Sequence, residues 1–130
     1  MSANNRQVGG SHYQSAYQHW DYVQDCLSGR YLEGVITKYA SRWRKKNGLE
    51  DLKKALHYLE KLKEEYAANR VEPLGEAATV NEAAERFVKA QRSLDHEARI
   101  LELLPTWSGE QDLDEVGRQI KTLIAKAEAL

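Results

Sequence analysis

The sequence predicts an all-α protein of about five helices. Three observations carry this. Apolar residues recur at spacings of three and four along most of the chain. No stretch alternates apolar and polar residues in the manner of a strand. Gly, Pro and Asn-Gly breaks separate the periodic stretches. At 130 residues the chain holds one domain, or one small domain with an extension.

Residues 1–10, polar and glycine-containing, read as a flexible N-terminal arm. Ser11 opens "SHYQ", a capping-box pattern with Gln14 at the third helical position. Ala16, Trp20, Val23 and Leu27 follow at helical spacing, so Trp20 is expected in the core; "SGR" ends this helix. A second helix from about Arg30 carries Leu32, Val35, Ile36, Tyr39 and Trp43 on one stripe, which places Trp43 in the core as well. Asn47-Gly48 stops it. Asn47 then caps a third helix, with Glu50 three residues on and Leu52, Ala55, Leu59, Leu62 and Tyr66 on a heptad-like seam.

Residues 11–68 thus form one helical domain, and 69–80, with Pro73 and Gly75, a linker. A fourth helix is expected from Asn81 to Leu104, with Phe87, Leu94 and Leu101 on one side; Pro105 ends it, and "TWSGEQ" is a loop. The last helix carries Leu113, Val116, Ile120, Leu123, Ala127 and Leu130. Residues 81–130 therefore make a helical hairpin whose narrow seams either pack within the chain or join subunits. A homo-oligomer is the expectation.

The net charge of −1 argues against a dedicated DNA-coating protein. The distribution is uneven. Residues 1–68 carry 11 Lys and Arg against 8 Asp and Glu, whereas residues 69–130 carry 8 against 12. All seven tyrosines lie in the first half. The single cysteine, Cys26, rules out a disulfide within the chain and a cysteine-based zinc site; its place on a helical stripe points to a buried thiol. No apolar run approaches the roughly 18–20 residues that span a membrane, and the first residues lack a signal-peptide core, so a cytoplasmic protein is expected.

The densest chemistry lies in "KYASRWRKKNGLEDLKKALHYL", residues 38–59. On a continuous helix Gly34, Lys38, Arg42, Lys45 and Lys46 fall within about 120° of one another, with no acid between Glu33 and Glu50. A solvated face usually mixes both signs. One-sign clustering suits a phosphate, with Arg as a two-pronged donor and Lys as a point charge, although a basic surface without a ligand has the same pattern. Gly34 either lets a ligand or backbone come close or marks a helix crossing. Lys54 and Tyr58 share a face of the third helix. Asp51, one turn before Lys54, either positions a basic side chain or favours the helix N-terminus. At "VGGSHY", His12 and Tyr13 stand at a helix start whose free N–H groups attract anions.

These residues resemble a known pattern. "VGGSHY", "HWDYV" and "YLEGVITKYASRWRKKNGLEDLKKALHYLEKL" are similar to a small phage-encoded family, the SaV-like domain of unknown function. The matching motifs are Ser11-His12-Tyr13; Gly34, Ile36, Lys38-Tyr39 and Arg42; and Asp51-Leu52, Lys54-Ala55 and Tyr58-Leu59. Val35 stands where the family usually has Asn. The resemblance covers about residues 7–62 and extends to an unusual coliphage nucleotide kinase that lacks a Walker motif. It implies a nucleotide-sized ligand.

Three functions are expected in turn. The first is a protein binding a phosphorylated nucleotide or nucleotide-derived immune signal, as a counter-defence sponge. The second is a Walker-less kinase acting on nucleoside monophosphates. The third is an RNA- or host-protein-binding helical module. The expected ligand-binding residues are His12, Tyr13, Gly34, Lys38, Arg42, Lys45, Lys46, Asp51, Lys54 and Tyr58. No cofactor is required by the first reading; magnesium enters only with the kinase, for which Asp21, Asp25, Glu33 and Asp51 are the available carboxylates.

Overall fold

The computed structural model describes residues 17–75 and 80–130. The order is α1 (His19–Cys26), α2 (Tyr31–Arg42), α3 (Leu49–Ala67), α4 (Val80–Gln91), α5 (Asp95–Leu103), a 3-10 turn (Leu104–Thr106) and α6 (Glu110–Glu128). Among the described residues there is no strand, and no helix is long and apolar enough to cross a membrane.

Local chemistry explains the boundaries. At the start of α1 the Gln18 N–H donates to Asp21 Oδ2 at 3.0 Å; the box expected at Ser11 lies outside the described residues. Ser28 and Gly29, at φ of 53° and 69°, turn the chain out of α1. At α3 the cap is one residue later than expected. Gly48, at φ 56°, is the N-cap, and Asp51 rather than Glu50 reaches back, accepting the Asn47 N–H at 3.2 Å.

The long fourth helix expected over 81–104 is two helices. Arg92, at φ 52°, breaks it, and the Ser93 N–H closes the end of α4 on the Val88 carbonyl at 3.0 Å. The apolar period runs straight through this break, so the pattern concealed it. Leu94, expected on the buried side, is consequently 56% exposed.

Both halves of the sequence share one interior. Ile36, Trp43, Leu52, Leu59 and Leu62 pack with Ile100, Trp107, Leu113, Val116, Ile120 and Leu123. A second cluster joins Tyr22, Cys26 and Leu27 to Ala84, Phe87 and Leu101. Here Tyr22 stacks on Phe87 at 4.7 Å and donates its hydroxyl to the Leu101 carbonyl at 2.6 Å. Helix α6 lies against α3 and α5. Gly117 lets it approach closely, since a Cβ there would stand 3.3 Å from Leu59. The α6 seam is filled within the chain, which removes the open-seam argument for a second copy.

Trp20 is a correction. It is 50% exposed, because α1 buries Tyr22 and Cys26, and two residues along a helix point to opposite sides. Trp43 is buried, as its stripe requires. Two buried acids tie the layers together by holding indole N–H groups. Glu33 accepts from Trp107 Nε1 at 2.9 Å and pairs with Arg30 at 2.6 Å. Glu97 accepts from Trp43 Nε1 at 3.1 Å and from Arg44 Nε at 2.7 Å.

Candidate functional site

Helices α2 and α3 pack along each other and present a cationic, aromatic face. Its centre is Tyr39. The Tyr58 ring stacks on it at 6.3 Å, Arg42 Cζ lies 4.8 Å from its centroid, and Lys54 Nζ lies 5.4 Å away. Tyr31 meets Tyr58 edge-on at 6.3 Å and is 69% exposed. Its hydrogen bond to Tyr58 raises its ionisation above the ordinary phenol range. Lys38 is exposed, while Tyr39 and Tyr58 are half-buried and His57 points outward. The face therefore combines aromatic surface with three cations, against Glu50, which pairs with Lys54 at 3.5 Å, and Asp51.

Asp51 is fully buried, and it positions Arg42. Arg42 Nε lies 3.4 Å from Asp51 Oδ2 and Nη2 lies 3.5 Å from Oδ1. Both options raised by the sequence are realised, because Asp51 also sits in the first turn of α3. One consequence concerns the arginine fork. Its Nε/Nη2 edge is turned onto Asp51, so a phosphate must use the Nη1/Nη2 edge.

The other expected residues divide. Gly34 is buried at the crossing of α1 and α2, where a Cβ would meet Val23 at 3.5 Å. Lys45 and Lys46 do not extend the Lys38 face as a continuous helix would. Helix α2 stops at Arg42, and residues 43–48 turn, with the Gly48 N–H returning to the Trp43 carbonyl at 2.9 Å. Lys45 is thereby carried to a cleft beside Arg92 and Ser93, and Lys46 lies exposed in the turn. His12 and Tyr13 lie outside the described residues.

The four carboxylates considered for magnesium have separate protein partners. Asp21 accepts the Gln18 N–H, Asp25 the Tyr17 hydroxyl at 2.6 Å, Glu33 the Trp107 indole, and Asp51 the Arg42 guanidinium. Among the described residues no group of three His, Cys, Asp or Glu side chains could hold a metal ion.

His19 belongs beside this face and was missed. Its Nε2 lies 2.9 Å from Thr37 Oγ1, whose own proton goes to the Glu33 or Gly34 carbonyl, each at 3.0 Å; Nε2 is therefore the donor. Burial, then the charges of Lys38 and Arg42, push the imidazole pKa down to about 4. The available signal was "HWDYV", a matched segment with no evident chemistry of its own.

A pH dependence follows. The unfolded chain takes up a proton near pH 6.5 that the folded chain refuses until about pH 4, so stability should fall as pH drops through this window. The loss is on the order of 2 kcal/mol after allowing for partial solvent access. Urea titrations of the native protein and His19→Gln at several pH values check it; the difference between them should flatten outside the window.

Residues 8–60 match a family model, DUF3310, described as a protein of unknown function. No curated protein and no solved structure matches the chain. The matched segment contains the whole α2–α3 face from Tyr31 to Tyr58, and it excludes α4, α5 and α6.

Proposed function

We propose that the α2–α3 face binds a phosphorylated nucleotide or a nucleotide-derived signal and sequesters it. The observation that carries this is the packing of Arg42 and Lys54 on the Tyr39 ring, which stacks on Tyr58, with Tyr31 edge-on to Tyr58 and the exposed Lys38 charge acting on Tyr31. Phosphate needs the cations and a base needs an exposed aromatic surface, and here the two lie within one ligand's reach. Tyr31 offers the stacking surface. Lys38 and the outer edge of Arg42 take the phosphate, and Asp51 keeps Arg42 in place.

The SaV-like resemblance supports this reading, and in a phage the protein would act as a sponge against a host defence signal. The same resemblance favours, as a second reading, phosphoryl transfer to a nucleoside monophosphate. Calorimetric titration with nucleoside 5′-monophosphates tests binding. Chromatography of nucleotide recovered after incubation with ATP and magnesium separates the two readings. Unchanged monophosphate is expected, and accumulation of diphosphate would replace sequestration by the kinase.

A further inference from the structure

A concave site lies away from this face. A cleft of about 300 Å³ opens between the turn after α2 and the α4–α5 junction, at the lower end of the size range of small-ligand sites. Ser41, Arg44, Lys45, Arg92, Ser93 and Glu97 line it. Its far wall, from Arg92 to Glu97, lies outside the segment matched by the family model.

The charges there are not balanced. The Glu97 carboxylate is buried, and Arg44 Nε already neutralises it at 2.7 Å. That contact also fixes the Arg44 guanidinium 4.3 Å from the centre of the Trp43 ring. Lys45 and Arg92 form no ion pair among the described residues. Two positive charges from separate elements thus meet over one cavity. Arg92 does so from a left-handed backbone at φ 52°, where Gly or Asn would be at ease. Beside it, α5 begins with no side-chain cap on its first turn.

We infer that this cleft binds the dianionic group of a small phosphate monoester. Lys45 and Arg92 supply the charge, Arg44 a pre-positioned guanidinium, and Ser93 a hydroxyl donor. The site is separate from the α2–α3 face and does not depend on its function.

The test is a titration of the full-length, ¹⁵N-labelled protein with inorganic phosphate and ribose 5-phosphate, with sodium chloride at matched ionic strength as reference. Saturable shifts of the Ser41, Arg92 and Ser93 amides are expected. In Lys45→Ala/Arg92→Asn the affinity should fall tenfold or more; Asn tolerates the left-handed backbone and both side chains are at the surface, so the fold should persist. Lys38→Ala/Lys54→Ala should leave these shifts intact, which separates failure here from failure at the other face. Shifts that never saturate, that sodium chloride reproduces, or that survive in Lys45→Ala/Arg92→Asn would overturn the inference.

Discussion

Replacing Trp107 with alanine is expected to destabilise the protein by about 3–5 kcal/mol, the usual cost of truncating a buried tryptophan. Trp107 is fully buried at the meeting of the two sequence halves. Its ring meets Tyr66 edge-on at 5.2 Å, and its N–H is a donor to buried Glu33. Truncation opens a cavity and also leaves Glu33 with Arg30 alone. Trp107→Phe separates these effects. It keeps much of the volume and loses the donor, and should cost about 1–3 kcal/mol. Urea unfolding measures both, as lowered midpoints at unchanged slope. A near-native midpoint for the alanine variant would mean that the C-terminal helices are not part of this core.

The second large effect is expected at Asp51. Asp51→Ala removes the partner of Arg42 and the acceptor of the Asn47 N–H from a fully buried position. Breaking a buried pair typically costs 3–5 kcal/mol. Arg42 is 21% exposed and can turn partly to water, so about 3–4 kcal/mol is expected. Asp51→Asn retains an acceptor for Asn47 and should lose less. Because the pair is shielded from solvent, the loss read by urea unfolding should change little between low salt and 0.5 M salt; strong salt dependence would reclassify it as a surface pair.

Much of the fold was legible because burial leaves a periodic trace. Leu52, Ala55, Leu59 and Leu62 on α3 and Leu113, Val116, Ile120 and Leu123 on α6 lie where their spacing puts them. Where the trace is absent or continuous, sequence reasoning failed. Trp107 sits in a loop with no period, so nothing marked it as a centre of the core. The break at Arg92 interrupts no apolar repeat. Trp20 fitted a stripe extended through residues that lie before α1.

The grouping of side chains on the candidate face was partly legible. Tyr39, Arg42, Lys54 and Tyr58 meet because α2 is regular as far as Arg42 and α3 returns beside it. Lys45 separates from them because the wheel ceases to apply where the helix ends. Arg44, two residues from Arg42 and so on the opposite side of the wheel, holds Glu97. Such pairings between distant segments leave no local pattern. His19 and Thr37 meet for the same reason, across the crossing of α1 and α2.

Recognition of phosphate by the α2–α3 face is tested most directly by titrating nucleoside 5′-monophosphate into Arg42→Lys and Arg118→Lys. Both substitutions keep the charge and remove a guanidinium. Arg118 lies on α6, where it pairs with Glu115; Arg44 would be a poor comparison, because it holds the buried Glu97. Arg42→Lys should weaken binding by about 1–3 kcal/mol, roughly tenfold to a hundredfold, while Arg118→Lys binds as the native protein does. Equal affinities in the two variants would mean that no fork-shaped contact exists at Arg42, and would contradict the assignment of the site.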